Sequence, residues 1–140
     1  MSNSDNPRIG KEFQERICTA MSAYFKTDFQ LEIPIPIGEP PKPHRFDCVS
    51  SNRQIVIECK CYAWTAAGNI PSAKLRTLNE AVLYMSCLPP DTVKIIAMKK
   101  TLRPGKPETL AQYYNRVNGH LLKGIRIVEM DENNGINWVR

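Results

Sequence analysis

The chain has 140 residues, enough to bury the core of one domain and too few for two, so residues 1–140 are read as a single unit. A hydrophobic fraction of 42% and a charged fraction of 24% are those of an ordinary folded chain, and no apolar run approaches the length of a membrane span, which argues against a membrane partner. Lys+Arg 19 against Asp+Glu 14 leaves a formal charge of +5, which suits a polyanionic partner without identifying one. The opening "MSNSDNPRIGKE" lacks the pattern of a secretory leader, and Cys18, Cys48, Cys59, Cys61 and Cys87 are odd in number and scattered, so a cytoplasmic location with reduced thiols is expected.

In chain order, Ile9 to Phe25 carries apolar residues at Ile9, Phe13, Ile17, Ala20, Met21 and Tyr24, the spacing of an amphipathic helix, with Pro7 near its start. "FQLEIPIPIG" alternates as a strand, but Pro34 and Pro36 cannot donate to a ladder, which puts it at an edge. "GEPPKPH" reads as a stiff connector. Strands follow at His44–Ser50 and Gln54–Tyr62, joined by a turn around Ser51-Asn52-Arg53. Pro71 opens a helix with Leu75, Leu78, Val82 and Met85 on one stripe, ending before Pro89-Pro90. "TVKIIAMK" is the short apolar strand of a sheet centre. Glu108 to about Leu121 is helical with Leu110, Tyr113, Tyr114 and Val117 in phase, then "IRIVEM" is a strand and Asn134-Gly135 turns into "INWV". The resulting order, helix, three strands, helix, strand, helix, two strands, predicts a mixed sheet with helices on its faces.

Charged residues interrupt the most apolar of these strands. After Ile55-Val56-Ile57 come Glu58 and Lys60, on one face because side chains alternate along a strand. Whether Asp47 faces Glu58 depends on the parity of the hairpin loop: two residues (Asn52-Arg53) or four (Ser51 to Gln54) pair them, and an odd number does not. With an even loop, Asp47, Glu58 and Lys60 stand together on one face, with the two acid-bearing backbones about 5 Å apart. Two adjacent carboxylates keep one proton between them unless a cation intervenes. Mg²⁺ or Mn²⁺ suits such a pair and leaves positions for water and phosphate, while the lysine offsets charge developing on the phosphate or assists the attacking water.

Asp47, ten intervening residues, then Glu58-Cys59-Lys60 closing an apolar strand resembles the motif of the PD-(D/E)xK nuclease superfamily, which includes type II restriction enzymes and Holliday-junction resolvases. The element order from Ile9 to Met98 is similar to that superfamily's core. The resemblance implies an α/β restriction-endonuclease-like three-layer sandwich, a mixed central sheet flanked by helices. It implies Mg²⁺ or Mn²⁺ held by Asp47, Glu58 and the Cys59 carbonyl, Lys60 as the catalytic lysine, DNA as substrate and a homodimer. Two departures stand out: Phe46 precedes Asp47 where proline is usual, and Gln14 occupies the first-helix position where many members carry glutamate. Gln14 borders the apolar stripe and can offer its amide oxygen to the metal, Glu15 points away, and Glu12 lies between.

Other features read two ways. Lys74 and Arg76, in the first turns of the second helix, either contact a DNA backbone or are solvated. Lys99, Lys100 and Arg103 make a basic turn that can be simply solubilising, and Trp64 either stacks on a ligand or packs. Cys48, Cys59 and Cys61 on one face, with His44 as an optional fourth member, would allow zinc, for which C-x-C is a weak signal. A catalytically inactive nucleic-acid-binding module with the same fold is the competing function.

Overall fold

The computed structural model of the protein describes residues 6–140. Helix α1 (Pro7–Phe25) starts at Asn6, whose side chain accepts the Arg8 amide at 2.9 Å, and Pro7 fits the first turn because its missing N–H has no intrahelical acceptor there. The helix ends at Lys26 in the left-handed conformation, φ 53°. Strands β1 (Phe29–Ile37), β2 (Lys42–Ser50) and β3 (Ile55–Lys60) follow as a meander. "KPH" is thus the start of β2 rather than part of a connector, and only Gly38 to Pro41 turn.

Helix α2 (Ser72–Ser86) leads to β4 (Val93–Lys99). Helix α3 (Leu110–Asn118) opens on a reciprocal cap, the Thr109 hydroxyl accepting the Gln112 amide at 3.1 Å and the Gln112 side chain accepting the Thr109 amide at 2.9 Å. It stops at Asn118, and Gly119–Leu121 tighten into a 3-10 turn, so the helical pattern expected to reach Leu121 ends earlier. Strands β5 (Ile125–Met130) and β6 (Ile136–Trp138) close the chain as a hairpin. Asp131 holds its turn by accepting the amides of Asn133 and Gly135, both at 2.8 Å.

The protein is α/β, with one six-stranded mixed open sheet ordered β1-β2-β3-β4-β5-β6. The first three strands are antiparallel, β3–β4–β5 are parallel, and β6 is antiparallel to β5. The connections through α2 and α3 advance in the same direction, and connections of one hand then place both helices on the same face. Leu75, Leu78, Met85, Leu110 and Tyr114 accordingly share one buried cluster with Val56, Ile96 and Ile127, while Phe13, Ile17 and Met21 of α1 cover Cys48, Ile57, Ile95 and Val128 opposite. Covered on both faces, β3 and β4 are buried almost throughout, which explains their apolar runs Ile55-Val56-Ile57 and Ile95-Ile96-Ala97-Met98. Two residues expected on helix stripes are open instead, Tyr24 at 49% and Val117 at 42% exposed, each near a helix end. No helix among the described residues is long and apolar enough to cross a membrane.

Candidate active site

The β2–β3 loop has four residues, Ser51 to Gln54, and is fixed by short-range bonds: the Ser50 hydroxyl to Asn52 Oδ1 at 2.8 Å, the Gln54 amide to the same oxygen at 3.0 Å, and the Ile55 amide to Ser50 Oγ at 2.9 Å. An even loop gives the pairs Val49–Val56 and Cys48–Ile57, so Asp47 continues in register with Glu58. Past Cys48 the side chains take over bonds that a ladder would supply. The Asp47 amide donates to Glu58 Oε1 at 3.0 Å, and the Cys59 amide donates to Asp47 Oδ2 at 2.8 Å. Each carboxylate thereby satisfies the other strand's N–H, which would be costly to leave unpaired at this depth.

The expectation that Asp47, Glu58 and Lys60 share a face needs a correction. Phe46 packs in the α2–α3 cluster and Cys48 in the α1 cluster, although residues two apart on a regular strand face the same way. Strand β2 therefore turns over at Asp47. Neighbouring β1 does the same: Leu31 packs toward α1 and Ile33 toward α2, with Glu32 between them at φ 56°. Glu58 and Lys60 face a cleft of about 320 Å³ on the α2 side. Asp47, at the switch, is outside the cleft's lining and reaches α1, where Gln14 Nε2 donates to its Oδ1 at 3.1 Å.

Glu58 is only 6% exposed. Burial, with the nearby Asp47 charge, pushes its carboxyl up to about 8, against smaller lowering effects of the Asp47 amide and the Lys60 charge. Burial also raises Asp47, opposed by the Cys59 amide and Lys60. The Cys59 thiol is pushed well up by burial, so only its main chain is available as an oxygen ligand.

Gln14 and Glu12 are placed differently. Glu12 is exposed and pairs with Arg8 at 3.7 Å, and with Glu15 it lines a separate groove along α1. Gln14 is beside Asp47, and its Oε1 is buried without a partner. Two carboxylates, one with a strongly raised pKa, and an orphaned buried amide oxygen make a hard-oxygen set that fits a divalent cation such as Mg²⁺.

Of the two cations expected to meet DNA, Lys74 lies near the cleft, its ammonium 5.9 Å from the ring centre of Tyr62, a lining residue. Arg76 is exposed and is not part of the lining. The cleft's far wall was not anticipated from the sequence. Thr77, Glu80, Ala81 and Tyr84 of α2 line it together with His44 and Tyr62. Their i, i+3, i+4, i+7 spacing is a mainly polar helical stripe beside the apolar one, and that was the available signal. His44 stacks on Tyr84 with ring centres 3.9 Å apart, Tyr84 donates to Glu80 at 2.7 Å, and burial lowers the histidine's pKa and favours its neutral form. Trp64 packs: it is 7% exposed and donates from its indole to the Thr101 carbonyl at 3.0 Å.

Cys48, Cys59 and Cys61 share the α1 side as expected, but the zinc reading gains no support. His44 lies on the α2 side while Cys48 and Cys59 are in the α1 cluster, and among the described residues no group of three or more His, Cys, Asp and Glu side chains is placed to hold a metal ion. All five cysteines are free. No protein-family model matches the chain, and no curated protein or solved structure is significantly similar to it.

Proposed function

We propose that the protein is a metal-dependent endonuclease of the PD-(D/E)xK type, with a restriction-endonuclease-like fold, that hydrolyses DNA phosphodiester bonds. The observation that carries the reading is the pair of partly desolvated carboxylates, Asp47 and Glu58, bonded into each other's strand, with Lys60 beside Glu58 in an open cleft. Asp47, Glu58, the Cys59 carbonyl and Gln14 Oε1 would hold Mg²⁺ or Mn²⁺. Bound there, the cation would supply Lewis-acid polarisation and offset the negative charge on the phosphate.

The chain's own residues do the rest. Lys60 places a fixed positive charge at the cleft, where it stabilises charge gathering on the non-bridging phosphate oxygens and orients the attacking water by hydrogen bonding. Glu58, buried on its sheet side, keeps its carboxylate directed at that water and substrate. Tyr62 and Lys74 line the approach of the substrate backbone. A homodimer would present two such clefts to the two strands of a duplex.

One observation favours a second reading, an inactive nucleic-acid-binding module. Gln14 replaces an acid and its amide already satisfies Asp47, so the site is hydrogen-bonded without a cation. Calorimetric titration with Mg²⁺ and Mn²⁺ separates the two. The nuclease reading expects saturable binding that Glu58→Gln and Asp47→Asn each abolish. Heats from the wild type no different from buffer would replace it with the binding module.

A further inference from the structure

The parallel register sets Lys60 opposite Met98, so β3 and β4 leave the sheet at the same edge, one into residues 61–71 and the other into residues 100–109. These two loops are tied together. Arg103 Nε donates to the Gly68 carbonyl at 3.0 Å and its guanidinium lies 4.7 Å from the Trp64 ring centre, while Trp64 donates to the Thr101 carbonyl at 3.0 Å. Gly68 has φ +80°, and a Cβ there would touch Pro104 at 3.5 Å, so the loops meet closely. A bridge between Leu102 and Thr109 closes the second loop at its base. The result is a braced platform directly beyond the candidate catalytic lysine.

The second loop is itself cationic. "KKTLRPGK", residues 99–106, holds four cations and no acid. Arg103 is spent on bracing, but Lys99, Lys100 and Lys106 are exposed. Acids stand beside part of it: Asp131 and Glu132 line a groove with Lys99 and Lys100, while Glu108 pairs with Arg116 at 2.9 Å. We propose that this platform carries the phosphate backbone of the nucleic acid leaving the cleft, with Lys99, Lys100 and Lys106 each neutralising one phosphate. The identity of the anion rests on the nuclease reading; the platform's geometry does not.

Binding of a short labelled DNA duplex, followed by fluorescence anisotropy in EDTA over a series of NaCl concentrations, tests this with chemistry switched off. Each phosphate neutralised contributes about 0.9 to the slope of log K against log salt. Lys99→Ala, Lys100→Ala and Lys106→Ala are each expected to lower the slope by about 0.9, and the triple variant by about 2.7. Lys123→Ala, exposed before β5 at the opposite edge of the sheet, should leave it unchanged. A triple variant with the wild-type slope, or a wild type that does not bind, overturns the platform and leaves a solubilising surface or an acidic protein partner. Plasmid cleavage by the wild type in Mg²⁺, run alongside, reports on the site alone. Cleavage with an unchanged slope removes the platform only, and a lowered slope without cleavage removes the nuclease reading only.

Discussion

Glu58 carries the most information of any single residue. Its folded-state pKa, near 8, lies above its ordinary 4.5, so the metal-free fold prefers the protonated form. The stabilisation this gives is fully present below about 4.5 and is lost as pH rises through about 8, at about 1.4 kcal/mol for each pH unit between those values. Asp47, also raised, acts in the same direction. In EDTA the melting temperature should therefore fall between those limits, less steeply in Glu58→Gln, and Mg²⁺ should restore it more at the alkaline end. Identical pH profiles for wild type and variant in a thermal melt would contradict the assignment. Gln14→Glu should tighten Mg²⁺ binding by about tenfold or more, because a unit charge at about 4 Å in partly buried surroundings is worth about 4 kcal/mol before dehydration. The same change should lower metal-free stability by crowding a third acid against Asp47. Calorimetry and thermal melts of one sample check both signs. The register that sets Asp47 opposite Glu58, and the shared face of Glu58 and Lys60, were legible from the sequence because hairpin parity and strand alternation are arithmetic. His44, Thr77, Glu80 and Tyr84 were not, since the packing of α2 over the sheet brings them to the cleft.

Among the elements, β3 is the one on which the site depends. Its Ile57 is fully buried between α1 and the sheet, and Ile57→Ala should cost about 2 to 5 kcal/mol, read as a lower denaturant midpoint with an unchanged slope. A cost under about 1 kcal/mol would mean that the strand is less tightly packed than its burial implies. The order and type of the α-helices and strands followed from periodicity and punctuation: Pro34 and Pro36 marked the edge strand, short apolar runs marked the buried parallel strands, and Asn134-Gly135 marked the last hairpin, whereas the 3-10 turn at Gly119–Leu121 was read as helix. The face switch shared by β1 and β2 did not follow. It runs through Glu32 at positive φ, a conformation that glycine advertises and glutamate does not. That switch separates Asp47 from the cleft and brings it to Gln14, so the simple picture of three charges on one face was incomplete.

Taken over all 140 residues, the charge of +5 is unevenly placed, with four cations in residues 99–106 at the edge of the sheet that bears Lys60. The nuclease reading expects a duplex to be cut on both strands by a dimer, which sedimentation velocity with and without DNA can check: a strictly monomeric protein that still makes paired cuts would contradict the dimer. Metal-dependent hydrolysis by Asp47, Glu58 and Lys60 is best decided by cleavage itself. Supercoiled plasmid and branched DNA are incubated with the wild type, Glu58→Gln and Lys60→Ala in Mg²⁺, Mn²⁺ or EDTA. The nuclease reading predicts nicking or linearisation by the wild type with either metal, none in EDTA, and loss in both variants. Intact DNA in every lane, or cutting by the variants equal to that of the wild type, would contradict it.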